Sequence, residues 1–166
     1  MIILLIFISF LLEGYFTTFI SLNSLFIPLF TLTSIIILYP FFDIKENFHK
    51  YIIISIIFGL LYDIVYTNSV FINTISFTIC SVILIFMNHY INSSLILKLG
   101  VVTIVIAIYR FISYLLLCIF NYLNFNENIL LKGIYSSLII NIIYATILYI
   151  ISNFISQKLN IRKYEW

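Results

Sequence analysis

Long apolar runs with almost no charge are the feature that most constrains this chain. Of its 166 residues, 64% are hydrophobic and 8% are charged, and the mean hydropathy is +1.22. A soluble domain is roughly half apolar and about a quarter charged. This chain has too few charged residues to cover a water-facing surface, so the composition indicates an integral membrane protein.

Six of the apolar runs approach the ~20 residues that a membrane-spanning helix needs. They cover residues 2–20, 26–42, 51–66, 71–90, 95–120 and 129–155. The runs are continuous, whereas a transmembrane barrel needs alternating strands, so the sequence predicts an all-α membrane protein. We expect a single domain over residues 1–166, a compact bundle of six transmembrane helices. Pro28 suits the first turn of the second span, and Pro40 suits its end.

The basic residues predict an orientation, because Lys and Arg in short loops stay on the cytoplasmic side of a membrane. If both termini are cytoplasmic, only Lys132 lies outside. The residues that then lie inside are Lys45, Lys50, Lys98, Lys158, Arg162 and Lys163. This pattern favours a multi-pass protein of a cytoplasmic membrane. The basic tail is either an anchor for that topology or a contact for membrane lipid or a cytoplasmic partner.

Three charged residues fall inside the apolar runs: Glu13, Asp63 and Arg110. At ~1.5 Å of rise per residue, all three lie roughly 16–20 Å from the cytoplasmic ends of their spans. A charge in hydrocarbon is costly unless it is paired, and two acids with one base at the same depth could pair. We therefore predict an internal polar cluster made of these three residues.

Small and polar residues form stripes on four of the predicted helices, and the stripes on the third and last spans are the candidate seam. Ser55, Gly59 and Asp63 are spaced four residues apart and share one helix face, and Ser137 and Asn141 do the same on the last span. Small residues let another helix approach closely. The stripes are therefore contacts inside the bundle, a ligand or proton pathway, or a seam for a partner, and the sequence leaves these three interpretations open.

No catalytic or cofactor-binding motif stands out. The sequence contains no phosphate-binding or dinucleotide-binding glycine motif, no nucleophile elbow and no zinc-protease motif. Cys80 and Cys118 lack metal-ligand spacing, and His49 and His89 fit the membrane interface better than a metal site. We predict no enzyme activity and no cofactor, and a net charge of +2 gives no indication of nucleic-acid binding.

The stretch "FGLLYDIVYT" over residues 58–67 carries a family resemblance. It resembles the Gly-Leu-x-x-Asp-like core of the MreD family, membrane subunits of the bacterial rod-shape machinery. The matching residues are Gly59, Leu60, Leu61, Tyr62 and Asp63. Glu13 is similar to an acidic residue in the family's first span, and Asn141 to an Asn near the start of its last span. Pro28 lies where many members have a proline.

Two positions depart from the family pattern. Val70 and Phe71 stand where the family usually has Leu-Gly, so the hairpin between the third and fourth spans could have a different structure. Arg110 stands where an acidic or neutral residue is usual, so the predicted charge cluster would be particular to this chain.

The resemblance implies a role without chemistry. MreD-type proteins act as membrane scaffolds that bind the single-span protein MreC, and through MreC they meet RodA and a penicillin-binding transpeptidase. This role supports cell shape and peptidoglycan synthesis. The resemblance also implies a fold similar to the substrate-binding subunits of energy-coupling-factor vitamin transporters.

That similarity in fold provides the main alternative, a substrate-binding subunit of a solute transporter. Polar and aromatic residues in the outer halves of the spans could line a ligand pocket. The candidates are Tyr62, Asp63, Tyr66, Asn73 and Tyr114. A third possibility is an unrelated small membrane assembly factor.

Overall fold

The computed structural model describes residues 2–20, 27–42, 44–67, 71–87 and 95–158. Within these ranges all regular structure is helical, which confirms the all-α prediction. The elements are α1 (Ile2–Ile20), α2 (Phe30–Ile37), a 3-10 turn (Tyr39–Phe41), α3 (Ile44–Tyr62), a π-helical turn (Asp63–Thr67), α4 (Ile72–Phe86), α5 (Leu95–Ile119) and α6 (Glu127–Lys158). His89 and the basic tail with Arg162 and Lys163 lie outside the described residues.

Three stretches of the described chain are long and apolar enough to cross a membrane: Phe48–Thr67, Leu95–Ile119 and Glu127–Lys158. The helical stretches Ile2–Thr18 and Ile72–Phe86 are apolar but shorter. The six predicted spans therefore correspond to six helices, but the length and composition of a span are found in three of them.

Helix α2 differs most from its predicted span of residues 26–42. It has 8 residues, or about 12 Å of helix, which is too short to cross a bilayer. Every residue from Pro28 to Phe41 is buried, and α2 packs against α1, α4, α5 and α6. Pro40 lies in the 3-10 turn that follows α2, where it cannot continue an α-helix. The second apolar run is thus the centre of the bundle.

Two helical hairpins pack beside this central helix. One pairs α3 with α4 and the other pairs α5 with α6. The α5–α6 turn is held by the Tyr114 hydroxyl, which accepts a hydrogen bond from the Asn126 backbone N at 2.6 Å. At the opposite end of this hairpin, Lys98 Nζ lies 4.9 Å from the centre of the Tyr149 ring. Both ends of the long hairpin are therefore fixed by side chains.

Candidate functional site

The Glu13 carboxylate lies at the start of α2. Glu13 is fully buried, and its Oε2 accepts hydrogen bonds from the Thr31 backbone N at 2.9 Å and from Thr31 Oγ1 at 2.6 Å. Its Oε1 accepts a hydrogen bond from the Tyr62 hydroxyl at 2.9 Å. The first N–H groups of a helix have no partner within the helix and carry partial positive charge. Glu13, on α1, therefore satisfies and stabilises the start of α2.

Asn141 holds the segment just before α2. Its Oδ1 accepts a hydrogen bond from the Leu29 backbone N at 2.8 Å, and its Nδ2 donates to the carbonyl oxygens of Ile27 and Ser137 at 3.2 and 2.6 Å. Asn141 and Ser137 are both fully buried. The stripe predicted on the last span thus lies inside the bundle, where Asn141 attaches α6 to α2.

Asp63 accepts hydrogen bonds at the start of α4, as Glu13 does at the start of α2. Its Oδ1 accepts hydrogen bonds from the backbone N and the side-chain Nδ2 of Asn73, both at 2.9 Å. Its Oδ2 accepts from the backbone N of Thr74 at 2.9 Å and from Thr74 Oγ1 at 2.7 Å. Four donors therefore converge on one carboxylate, which lies on the turn that ends α3 and closes the hairpin onto α4.

The stripe that precedes Asp63 also faces α4. A Cβ atom built on Gly59 would lie 2.7 Å from the Thr74 Cα, so only glycine allows the two backbones to come this close. One turn earlier, Ser55 Oγ accepts a hydrogen bond from Ser81 Oγ at 2.6 Å. The structure thus places Ser55 and Gly59 inside the α3–α4 hairpin, so a partner helix would have to bind elsewhere.

Two tyrosines lie beside residues of the predicted charge cluster. Tyr62 bonds Glu13 and is the chain neighbour of Asp63. The Tyr109 hydroxyl donates to Asn73 Oδ1 at 2.5 Å, and Tyr109 is the chain neighbour of Arg110. Glu13 and Asp63 are therefore parts of two neighbouring buried polar groups, and each accepts hydrogen bonds at a different helix start.

Arg110 is bonded differently from the two acids. Its Nε and Nη2 atoms are buried and have no hydrogen-bond partner within the described residues. Its guanidinium carbon lies 5.7 Å from the centre of the Tyr109 ring, which is within the range of a cation–π contact. Arg110 also lines two cavities, and Tyr62, Asn73 and Tyr109 contribute to the larger of them.

Sequence reasoning missed three residues of these polar groups: Thr31, Thr74 and Tyr109. The two threonines had a usable signal, because polar residues at the start of an apolar run are typical of helix starts. Tyr109 gave none, because a tyrosine in a long apolar helix usually only packs.

The polar groups of this region are hydrogen-bonding side chains, two carboxylates and one guanidinium. Across the part of the chain that the structure describes, no group of three His, Cys, Asp or Glu side chains could hold a metal ion. Cys80 is buried, with its Sγ 3.9 Å from the Val105 carbonyl oxygen. The lining of the larger cavity can offer hydrogen bonds, and the Arg110 guanidinium is its cation.

No protein-family model, curated protein or solved structure matches this chain. The function is therefore argued from the residues and their geometry.

Proposed function

We propose that this protein is a non-catalytic membrane scaffold of the MreD type in the bacterial cytoplasmic membrane. It would bind MreC and, through MreC, support RodA and a penicillin-binding transpeptidase in shaping the cell wall. The resemblance that suggests this role rests on Gly59 and Asp63, with Glu13 and Asn141 as lesser matches. All four are used to build the bundle, as expected for a protein whose role is architectural.

The proposed topology has both termini in the cytoplasm and six helices within the membrane region, with α2 at the centre. Such a bundle would have the compact form of the vitamin-binding transporter subunits. The α3–α4 and α5–α6 turns would then face outward. The start of α5, with Lys98, would lie near the cytoplasm, in agreement with the bias of basic residues.

An apolar groove beside Gly100 is the observation that carries the scaffold proposal. The groove has a volume of about 340 Å³ and is lined by Met87, Leu97, Gly100, Val101 and Ile104. A Cβ atom on Gly100 would have nothing within 4 Å, so the α5 backbone is accessible there. Transmembrane helices associate through such small residues, because close packing replaces the missing hydrophobic drive. The single helix of MreC is the occupant that we propose.

The Gly100→Leu variant tests this docking site. Its side chain would fill the groove, so we expect recovery of MreC with the variant in detergent to fall about tenfold or more, equivalent to ~1.4 kcal/mol of binding. Gly133→Leu is the matched control, because a Cβ there also meets nothing within 4 Å but lies on α6. If both variants recover the same amount of MreC, the docking site is not the groove beside Gly100. If the unmodified protein never copurifies with MreC and its deletion leaves cell shape normal, the scaffold role is wrong.

A cavity of about 330 Å³ favours a second candidate, the solute-binding transporter subunit. Of the five residues expected in such a pocket, Tyr62 and Asn73 line this cavity, and Asp63, Tyr66 and Tyr114 are not among its described lining residues. In the proposed topology the cavity lies in the outer half of the bundle, where a transporter subunit would bind its solute. Native mass spectrometry separates the candidates, since a retained vitamin-sized molecule favours the transporter subunit and a retained single-span protein favours the scaffold.

A further inference from the structure

The unpartnered edge of Arg110 is the feature that the scaffold role does not explain. Nε and Nη2 are both buried and have no hydrogen-bond partner among the described residues. A guanidinium stays protonated in proteins, and although Arg110 as a whole is only half-buried, this edge of its charged group is shielded from water. Buried donors without an acceptor are destabilising, and native proteins rarely keep them without a use.

The two unpartnered atoms have a specific geometry. Nε–H and Nη2–H lie on the same edge of the planar guanidinium and point in parallel. This is the fork that binds both oxygens of a carboxylate or a phosphate in a bidentate pair. An acceptor group facing this edge would satisfy both atoms at once.

Arg110 lines space that is large enough for a ligand, although its Nε and Nη2 atoms are covered by protein in this structure. Two cavities of about 330 and 190 Å³ meet at Arg110, Ile27, Ser113 and Leu117. Thr67 and Tyr122 line the larger cavity and are both exposed. The cavity therefore reaches the surface near the end of the π-helical turn, at Thr67, and near the α5–α6 turn, at Tyr122.

The described part of the chain provides no anion for this space. Neither cavity has an Asp or Glu among its described lining residues. The nearby acids serve other donors, because Glu13 accepts from Thr31 and Tyr62 and Asp63 accepts four hydrogen bonds at the start of α4. The described lining residues therefore carry one positive charge and no negative charge, although buried Glu13 attracts Arg110 from outside the lining.

We propose that Arg110 is the anchor of a binding site for an oxyanion, a carboxylate or phosphate group, at this end of the bundle. Ser113 lies beside the anchor on the same wall, and Ile27 and Leu117 provide apolar surface for the rest of the ligand. The group belongs to an anionic lipid headgroup or to a small organic anion. The site is independent of MreC binding and remains whether or not the scaffold role is correct.

The test uses the purified full chain in nanodiscs of phosphatidylcholine, with or without phosphatidylglycerol. Native mass spectrometry measures the lipid retained, and thermal unfolding measures the stabilisation that a bound ligand gives. Inorganic phosphate and benzoate, added to nanodiscs of phosphatidylcholine alone, are the soluble probes. Phosphatidylglycerol identifies a lipid site, and either soluble probe identifies a solute site.

Three variants make the test specific. Arg110→Lys keeps the charge and loses the fork, and Arg110→Met loses both. We expect affinity for the effective probe to fall about tenfold in the first and about a hundredfold in the second, since each hydrogen bond between charged groups contributes roughly a factor of ten or more to affinity. Lys132→Gln removes an exposed positive charge from α6 and should leave binding unchanged.

Two results would overturn the proposal. One is a protein that no probe stabilises. The other is binding that Lys132→Gln weakens as much as Arg110→Met does, because that would be a general attraction of anions to a basic surface. If Arg110→Met does not fold, Arg110→Lys decides the question, since it preserves the charge and the length of the side chain.

Discussion

The two helix starts and the Arg110 cavity differ in how their charged groups are hydrogen-bonded. At the helix starts, Glu13 accepts three hydrogen bonds and Asp63 accepts four. At the cavity, two donor atoms of Arg110 lack an acceptor within the described residues. The carboxylates offset their desolvation with bonds that the fold itself supplies, whereas the guanidinium edge does not. The difference distinguishes residues that build the bundle from a residue for which we propose a ligand.

The largest expected effect is at Asp63. Asp63→Ala would leave four donors at the start of α4 without their acceptor, at about 1–3 kcal/mol for each that stays buried and dry. We expect the free energy of unfolding to fall by about 3–5 kcal/mol, measured by denaturation in detergent. Asp63→Asn keeps one carbonyl oxygen and should lose about half as much. A loss below ~1 kcal/mol in the alanine variant would contradict this account of the helix start.

The next effect is at Glu13. Glu13→Ala removes the acceptor of the Thr31 backbone N–H, the Thr31 hydroxyl and the Tyr62 hydroxyl. We expect a loss of about 2–4 kcal/mol in the free energy of unfolding, by the same measurement. Glu13→Gln is the control, because its amide oxygen can still accept from Thr31. If alanine and glutamine variants are equally stable, Glu13 does not hold α2.

Arg110→Met should give the smallest change, with the opposite sign. Without a bound anion, the variant loses two buried donor atoms that have no acceptor within the described residues and gains an apolar side chain of similar length. We expect a gain of about 1–3 kcal/mol in the free energy of unfolding, measured in uncharged detergent without phosphate or carboxylate in the buffer. Lys132→Met, at an exposed position, should change little. Destabilisation by Arg110→Met would mean that the guanidinium stabilises the fold, which would contradict the distinction drawn between Arg110 and the two carboxylates.

Much of the helical fold could be predicted from hydropathy, but α2 could not. Six apolar runs predicted six spans, and the second run became a short buried helix of 8 residues. Hydropathy measures how apolar a segment is, and a segment inside a bundle can be as apolar as one in lipid. Pro28 and Pro40 mark the ends of the segment, but only packing decides that it is internal.

The candidate site was partly predictable. The spacing of Ser55, Gly59 and Asp63 puts them on one face of α3, and the structure places that face against α4. Depth alone suggested that Arg110 pairs with the acids, but depth does not fix how each helix is rotated. Each carboxylate accepts hydrogen bonds from backbone N–H groups at the start of a helix, because the first four N–H groups of a helix have no acceptor within it. Such preferences depend on the assembled bundle, so they do not appear in the spacing.

The way in which α2 is completed has a consequence for synthesis. The Leu29 backbone N bonds to Asn141, which lies 112 positions further along the chain. A ribosome therefore delivers α2 long before it delivers the side chain that holds its entrance. Until the last helix is released, the carbonyl oxygen of Ile27 and the backbone N–H of Leu29 must form hydrogen bonds with water or with another protein. The innermost helix is made early and completed late, so a chain cut short within α6 would have an open centre.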